Sequence, residues 1–233
     1  RQLGVEDKLV LDEVEARRVL AVALGEVGLK DNANEVAEVL SLAKARGQGP
    51  EEIEGKWRPH YVAYQTALVT HGARDYDDIL LDLLQFLAAD SAACAHIQQR
   101  YSHLFVDEFQ DLNPVQYRLV LQLAGSGVGL MAIGDPDQAI YGFRGADPGY
   151  FNRLREDYPD ARLFQLGTNY RSQAMVVEGA AAVIGHNPNR MGMALTPARQ
   201  PGAPIRLIEA SSEAAEAIAV VREIGRMVGG ADM

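Results

Sequence analysis

The sequence predicts an α/β fold in which an all-helical segment precedes a parallel β-sheet. Up to about residue 100, apolar residues recur at helical spacing between N-capping residues and glycines. Beyond that point, short apolar runs alternate with helical patterns, which is typical of parallel strands joined by helices. The runs 103–106 and 128–133 stop abruptly at an acidic residue or a glycine, and ligands of open α/β sheets bind beyond such strand ends.

Capping signatures define the helices of the first part. Asp12 with Glu15, and Asn32 with Glu35, have the spacing of an N-cap and its capping-box partner. Pro59 suits the first turn of a third helix, because a backbone N–H has no helical partner there in any case. The helices predicted for this part start at Asp12, Asn32, Pro59, Asp75 and Ser91 and end near Gly28, Ala43, Gly72, Ala89 and Gln99.

The remainder of the chain predicts strands and helices in alternation. Pro114 opens a helix in the same way as Pro59. The predicted strands cover 103–106, 128–133, 162–166 and 204–208, and the predicted helices cover 114–123, 147–157, 172–184 and 212–228. This order of elements indicates a sheet covered by helices.

Composition restricts the class of protein. The 233 residues carry 22 basic and 32 acidic side chains, a net charge of −10, which argues against a free-standing basic nucleic-acid binder. The charge is uneven, since residues 141–206 hold 8 basic and 5 acidic side chains. The single cysteine, Cys94, excludes an intrachain disulfide and a zinc site of thiolates. No apolar run reaches the roughly 20 residues of a membrane span, and no signal peptide opens the chain, so we expect a cytoplasmic protein without a membrane partner.

An acid pair, Asp107 and Glu108, follows the first predicted strand. This arrangement is typical of a nucleotide hydrolase, in which one carboxylate serves a Mg²⁺ site and the other orients or deprotonates water. Mg²⁺ keeps several waters, so one well-placed aspartate suffices. The alternative is that the two acids only cap a turn or a helix.

The second predicted strand ends in an unusual loop, residues 134–146. Gln138 offers a neutral donor and acceptor that could sense a γ-phosphate or its attacking water. Tyr141 and Phe143, with Arg144 beside them, have the composition that holds single-stranded nucleic acid by stacking. The alternative for these aromatic residues is packing in the core.

The third predicted strand is followed by Tyr170 and Arg171, directly before a helix. A tyrosine and an arginine there could stack on a base and bind a phosphate. The alternative is a simple helix start, with Ser172 as the N-cap.

Taken in order, these motifs resemble the UvrD/Rep/PcrA family of superfamily 1 DNA helicases. They read V-D-E-F-Q-D at 106–111, G-D-P-D-Q-A-I-Y-G-F-R-G-A at 134–146 and N-Y-R-S at 169–172, with D-Y-D-D-I-L at 75–80 as a further match. The resemblance implies part of a RecA-like P-loop NTPase sheet with an N-terminal all-helical accessory subdomain. The implied domains are 1–73 for the helical subdomain, 74–166 for the remainder of the first RecA-like domain and 167–233 for the start of the second.

The resemblance also implies ATP and Mg²⁺ as cofactors. Asp107 would bind the Mg²⁺ and Glu108 would activate the hydrolytic water. Gln138 would contact the γ-phosphate and link hydrolysis to the DNA-binding loop. Arg171 would act as an arginine finger from the second domain, and Tyr170 would stack on the adenine.

The implied partner is single-stranded DNA or a DNA junction. Tyr141 and Phe143 would stack on DNA bases, with Arg144 near the strand. Phe143 stands where many members of the family have tryptophan. Gln110 and Asp111 would complete the acid motif without contacting the substrate.

The motif G-x-x-x-x-G-K-[ST], which cradles nucleotide phosphates, does not occur in these residues. The only Gly-Lys pair, Gly55–Lys56, is followed by Trp57. We therefore expect an internal segment of an ATP-dependent DNA helicase that is inactive alone. Two alternatives are the helicase subunit of a RecB/AddA-type helicase-nuclease, suggested by the wording of the 134–146 loop, and a non-catalytic helicase-like interaction module.

Overall fold

Helices dominate the fold, and the strands are short. The computed structural model of the chain describes residues 8–126, 129–187 and 194–229. The helices of these ranges are α1 Glu13–Glu26, α2 Ala33–Ala45, α3 Arg58–Thr70, α4 Tyr76–Ala89, α5 Ser91–Arg100, α6 Pro114–Ala124, α7 Tyr150–Asp157, α8 Ala174–Ile184 and α9 Glu213–Val228. The strands are β1 Leu9–Val10, β2 Ala73–Arg74, β3 Leu104–Val106, β4 Leu130–Ala132, β5 Thr168–Asn169 and β6 Thr196–Pro197. The chain divides into two compact units, 1–163 and 164–233.

The described strands pair in parallel, as predicted, but only two at a time. β1 pairs with β2, β3 with β4 and β5 with β6, so the described residues do not form one continuous RecA-like sheet. The strands predicted at 162–166 and 204–208 are wrong, because neither run has regular structure. Leu166 is 87% exposed and Leu207 is 96% exposed. An apolar run becomes a strand only where a neighbouring strand and a covering layer are available to it.

The first core lies among α1, α2 and α3. Asp12 caps α1 as predicted: its side chain accepts from the backbone N–H groups of Val14 and Glu15, and the Glu15 carboxylate accepts from the Asp12 N–H. The core residues are Leu11, Leu20, Leu24, Val36, Leu40, Ala43, Tyr61, Tyr64, Leu68 and Ala73. β1 and β2, at the two ends of this segment, pair as a short two-stranded sheet. The segment is therefore not all-helical, contrary to the prediction from the sequence.

Two smaller cores complete the first unit. The first joins α4, α5 and α6 around Leu87, Val115 and Leu119. The second covers one face of the β3–β4 pair with α6 and α7, around Phe109 and Tyr117. This second core positions the carboxyl ends of β3 and β4.

Within the described ranges, no single helix is long and apolar enough to cross a membrane. Only α4 and α5 taken together pass that test of length and composition, and they are bent by 106° at their junction. Both helices pack against α6.

A buried ion cluster ties α2 to the start of α4. The Lys44 side chain is 1% exposed, and its Nζ lies 2.6 Å from Asp75 Oδ2 and 2.8 Å from Asp78 Oδ1. The Tyr64 hydroxyl also donates to Asp75 Oδ2, at 2.9 Å. Burial raises the pKa of Asp75, but the charge and hydrogen bond of Lys44 outweigh it and leave that pKa below its ordinary value of 3.8. The same aspartate caps α4 by accepting from the Asp78 N–H, so one carboxylate serves both contacts.

We predict that Lys44→Met lowers the free energy of unfolding at pH 7 by about 3–5 kcal/mol, because it leaves the buried Asp78 and the largely buried Asp75 without their cation. In the wild type the pair stabilises the fold above pH 3.8, and this stabilisation is lost as the pH falls through the lower native pKa. Without Lys44, burial still raises the pKa of Asp75 while the main opposing cause is gone, so the carboxyl takes up a proton at a higher pH in the variant than in the wild type, and this protonation reduces the cost of the missing cation. Urea denaturation should therefore show a difference that shrinks from pH 7 to pH 4.

Arg17→Met is the control, since Arg17 forms an exposed ion pair with Glu13 on α1. We expect it to change stability much less than Lys44→Met. A Lys44 effect as small as that of Arg17, or one independent of pH, would contradict the buried-cluster account.

Candidate functional site

The carboxyl ends of β3 and β4 meet at one edge of the sheet, as predicted. Val106 lies opposite Ala132 in the parallel register. The Ile133 N–H donates to the Val106 carbonyl at 2.8 Å, and the Phe109 N–H donates to the Ile133 carbonyl at 2.9 Å. The acid motif and the 134–146 loop therefore leave the sheet next to each other.

The acid pair occupies a constrained turn. Asp107 is exposed, and its Oδ1 accepts from the Glu108 N–H at 3.0 Å. Glu108 has φ 49° and ψ 44°, and it is the only non-glycine residue with positive φ in the part of the chain that the structure describes. A left-handed backbone at such a residue costs about 1–3 kcal/mol and persists only where neighbouring contacts hold it. Strain of this kind at a strand end favours a functional role for Glu108.

Gln110 connects the acid pair to the neighbouring loop. Its side chain is 1% exposed. Its Nε2 donates to Glu108 Oε2 at 2.7 Å, and its Oε1 accepts from the Asp135 N–H at 3.0 Å. Gly134 packs directly on this amide, since a Cβ there would lie 2.3 Å from Gln110 Oε1. We refer to these two hydrogen bonds as the Gln110 bridge.

Asp135 extends the bridge to Gln138. Its Oδ2 accepts from Gln138 Nε2 at 2.9 Å, and its Oδ1 accepts from the Asp137 N–H at 3.0 Å. Gln138 thus lies at the same sheet edge as Glu108, joined to it by three successive hydrogen-bonded contacts. The sequence reasoning missed Asp135 as a site residue, although its place directly after the Gly134 strand end is the signal that could have identified it.

Tyr141, Phe143 and Arg144 form an exposed group in the same loop. The two rings are 39% and 72% exposed, with centroids 6.0 Å apart and planes tilted by 50°. Arg144 Cζ lies 5.7 Å from each ring centroid. Core packing, the alternative for these aromatic residues, is excluded by their exposure. The group offers two π faces and a guanidinium to a ligand.

The loop that carries this group rests on α2. Gly145 has φ 84°, and a Cβ there would lie 3.3 Å from Leu42 Cδ1 and 3.6 Å from Ala45 Cβ. The Asp147 N–H donates to the Leu112 carbonyl at 3.1 Å, which ties the end of the loop to the acid motif. The helical segment therefore directly supports the 134–146 loop, which we call the aromatic loop.

Tyr170 and Arg171 belong to the second unit, where they follow β5. The alternative reading, a helix start capped by Ser172, is wrong: the residue before α8 is Gln173, and it makes no side-chain capping bond. Instead, Asn169 Oδ1 accepts from the N–H groups of Arg171 and Ser172 at 3.0 and 2.9 Å. Tyr170 is 72% exposed, and Arg171 is exposed as well. Asn169 thus shapes the turn that presents both side chains to solvent.

The donor set at the acid motif fits Mg²⁺ rather than a softer metal. Asp107 supplies an exposed carboxylate, and Asp111 Oδ1 is buried without a hydrogen-bond partner. Among the residues that the structure describes, no group of three or more His, Cys, Asp or Glu side chains is placed to hold an ion. Carboxylate oxygens are ligands of the kind that Mg²⁺ prefers, and this ion shares its coordination between one or two carboxylates, substrate phosphates and water.

Comparison with known proteins agrees with these motifs. Residues 6–159 match the profile of the UvrD/REP helicase N-terminal domain. An ATP-dependent DNA helicase PcrA of Staphylococcus epidermidis is 38% identical over 164 residues, which are 70% of this chain and 22% of that protein. DNA helicase II of Escherichia coli is 37% identical over 172 residues, or 74% of this chain and 24% of that protein. A PcrA of Leuconostoc citreum is 33% identical over 202 residues, or 86% of this chain and 27% of that protein. The chain thus spans about a quarter of the length of these relatives.

We predict that Gly145→Ala lowers the free energy of unfolding by about 1–3 kcal/mol, because it forces a left-handed backbone on alanine and presses a methyl group onto Leu42. Gly142→Ala is the matched control: its φ lies outside the left-handed region, and no atom lies within 4 Å of the added Cβ. Urea denaturation of both variants measures the difference. Equal stability of the two variants would show that the loop does not depend on its contact with α2.

Proposed function

Because the chain belongs to the UvrD/REP helicase family, we propose that it forms part of an ATP-dependent DNA helicase that couples ATP hydrolysis to movement on single-stranded DNA. The observation that carries the proposal is the hydrogen-bonded path from Glu108 through Gln110 and Asp135 to Gln138, at the start of the loop that bears Tyr141 and Phe143. A helicase needs such proximity, since hydrolysis must act on the DNA contact.

The hydrolytic role falls to the acid motif. Mg²⁺, when bound with ATP, supplies positive charge that neutralises the phosphates. Asp107 would hold that cation through its exposed carboxylate. Glu108 would accept a proton from the attacking water, in a position maintained by its bond from Gln110. Gln138 would face the terminal phosphate.

The second unit would complete the reaction. By resemblance, Arg171 would stabilise negative charge that develops on the phosphoryl group, and Tyr170 would stack on the adenine. The exposure of both side chains supports these roles, because each is available to a ligand. Asn169 would keep them in place.

The DNA would lie on the aromatic loop. Tyr141 and Phe143 would stack on successive bases, and Arg144 between them would approach the backbone phosphates. Stacking accepts any base, so this contact would hold single strands without reading their sequence.

We further propose that residues 1–233 alone hydrolyse ATP little or not at all. Nothing in their sequence matches the phosphate-cradling motif, and positioning of the phosphates provides most of the rate in this reaction class. The same missing motif favours a second candidate, a non-catalytic helicase-like interaction module. Measurable Mg²⁺-dependent turnover by residues 1–233 would contradict the proposal of an inactive segment.

We predict that Glu108→Gln in the full-length protein lowers DNA-stimulated ATP turnover by about 10²–10⁴-fold and leaves ATP binding intact, because only the proton acceptor is lost. The substituted amide keeps an oxygen that can accept from Gln110, so the turn should persist. Steady-state turnover and equilibrium binding of a fluorescent ATP analogue measure the two effects. Glu156→Gln, on an exposed face of α7, is the control and should change neither. Near-normal turnover in Glu108→Gln would remove this residue as the base.

We predict that Tyr141→Ala and Phe143→Ala each weaken binding of oligothymidylate to the full-length protein by about 1–3 kcal/mol, the usual worth of one stacked base. Fluorescence anisotropy at fixed salt measures the dissociation constant. Tyr101→Ala is a matched control, since Tyr101 is 61% exposed and has Arg100 Cζ 5.6 Å from its ring, but lies outside the loop. If all three variants bind DNA equally well, the aromatic loop is not the DNA contact.

A further inference from the structure

The Gln110 bridge has only one possible arrangement. The Glu108 carboxylate can only accept a hydrogen bond, and the Asp135 backbone N–H can only donate one. The amide nitrogen of Gln110 must therefore face Glu108, and its oxygen must face Asp135. A side chain that is 1% exposed has no water to replace either partner, so losing one would leave a buried polar group unsatisfied.

The bridge also has little freedom to move. The preceding residue, Phe109, is fully buried and packs edge-on against Phe151, with ring centroids 5.1 Å apart. On the other side, the Gly134 backbone lies so close to the Gln110 amide that no Cβ would fit between them. A displacement of the loop at Asp135 therefore has to shift or break the Gln110 amide contact.

Glu108 is the residue that a shift of the Gln110 amide would affect. Its left-handed backbone is held by neighbouring contacts, and the bond from Gln110 Nε2 is the side-chain contact observed for its carboxylate. The same amide nitrogen is 3.5 Å from Asp111 Oδ2, so the carboxylates on both sides of Gln110 depend on its orientation.

We propose that Gln110 is a positioning residue that couples the aromatic loop to Glu108. Movement of the 134–146 loop when single-stranded DNA binds passes through the Asp135 N–H and the Gln110 amide to the Glu108 carboxylate. The inference rests on the proposed function, in which the loop binds DNA and Glu108 serves hydrolysis. It adds a path between the two that does not use Gln138 or the phosphates.

The test compares Gln110→Met and Gln122→Met in the full-length protein. Methionine has nearly the shape of glutamine but makes neither hydrogen bond of the bridge. Gln122 is a matched control, since it is half-buried on α6 and its Oε1 has no hydrogen-bond partner. We expect Gln110→Met to lower the ratio of DNA-stimulated to basal kcat by about fivefold or more, within the usual range of coupling between two sites. Oligothymidylate affinity and the KM for ATP should stay near wild type, and basal kcat should fall less than stimulated kcat, since Gln110 also holds Glu108 in place. Gln122→Met should change nothing.

Three results would contradict a coupling role for Gln110. An unchanged ratio in Gln110→Met would overturn the coupling role. An equal fall of basal and stimulated kcat would also overturn it, since Gln110 would then only orient Glu108. If wild-type turnover does not respond to DNA at all, the proposed function itself fails, and this inference fails with it.

A second substitution at Gln110 keeps the proposal testable if Gln110→Met does not fold. If Gln110→Met does not unfold cooperatively, Gln110→Asn replaces it. This substitution keeps a polar amide at the buried position, but a side chain one methylene shorter does not span both Glu108 and the Asp135 N–H. It should lower the same ratio, and retention of the wild-type ratio would overturn the proposal.

Discussion

The parallel pairing of β3 and β4 is the constraint on which the candidate site depends. Three residues of each strand set the register, and that register brings the residues after Val106 next to those after Ala132. Parallel pairing places both carboxyl ends at one edge, so two loops distant in sequence become neighbours. The Gln110 bridge can form only because of this arrangement. A shift of one residue in this register would move Asp135 away from Gln110.

Two buried polar side chains of the first unit, Lys44 and Gln110, each have their hydrogen-bonding partners in the surrounding structure. Lys44 has two carboxylates within 2.8 Å, and Gln110 has one donor and one acceptor. Each group is costly to bury and specific once paired. These contacts fix geometry as well as adding stability. The helix α2 takes part twice, since Lys44 faces α4 while Leu42 and Ala45 support Gly145 of the aromatic loop. The helical segment and the aromatic loop are thus parts of one packed structure.

Local signals in the sequence predicted much of the fold. The Asp12 capping box and the Asp75 cap depend on residues three positions apart, so they needed no tertiary information. The failures depend on distant partners. The runs 162–166 and 204–208 are apolar enough for strands, yet Leu166 and Leu207 are largely exposed in the described structure. The sequence of an apolar run does not show whether another strand is available to form hydrogen bonds with it.

The same distinction applies to the candidate site. The rule about strand ends correctly predicted that Glu108 and Gln138 would share an edge. It did not predict that Gln110 would join them, because that bridge depends on the register of β3 with β4 and on the close approach at Gly134. Likewise, Ser172 has the residue type of an N-cap, but Asn169 forms the turn, since its side-chain Oδ1 accepts from two successive backbone N–H groups.

A crystal structure of the full-length protein with oligothymidylate, Mg²⁺ and a non-hydrolysable ATP analogue tests the central claim most directly. We expect a base stacked on Tyr141 or Phe143, the cation on Asp107, and the terminal phosphate facing Gln138, with Gln110 still in contact with Glu108 and Asp135. A strand bound elsewhere while the 134–146 loop stays in solvent, or a cation held away from the acid motif, would contradict it.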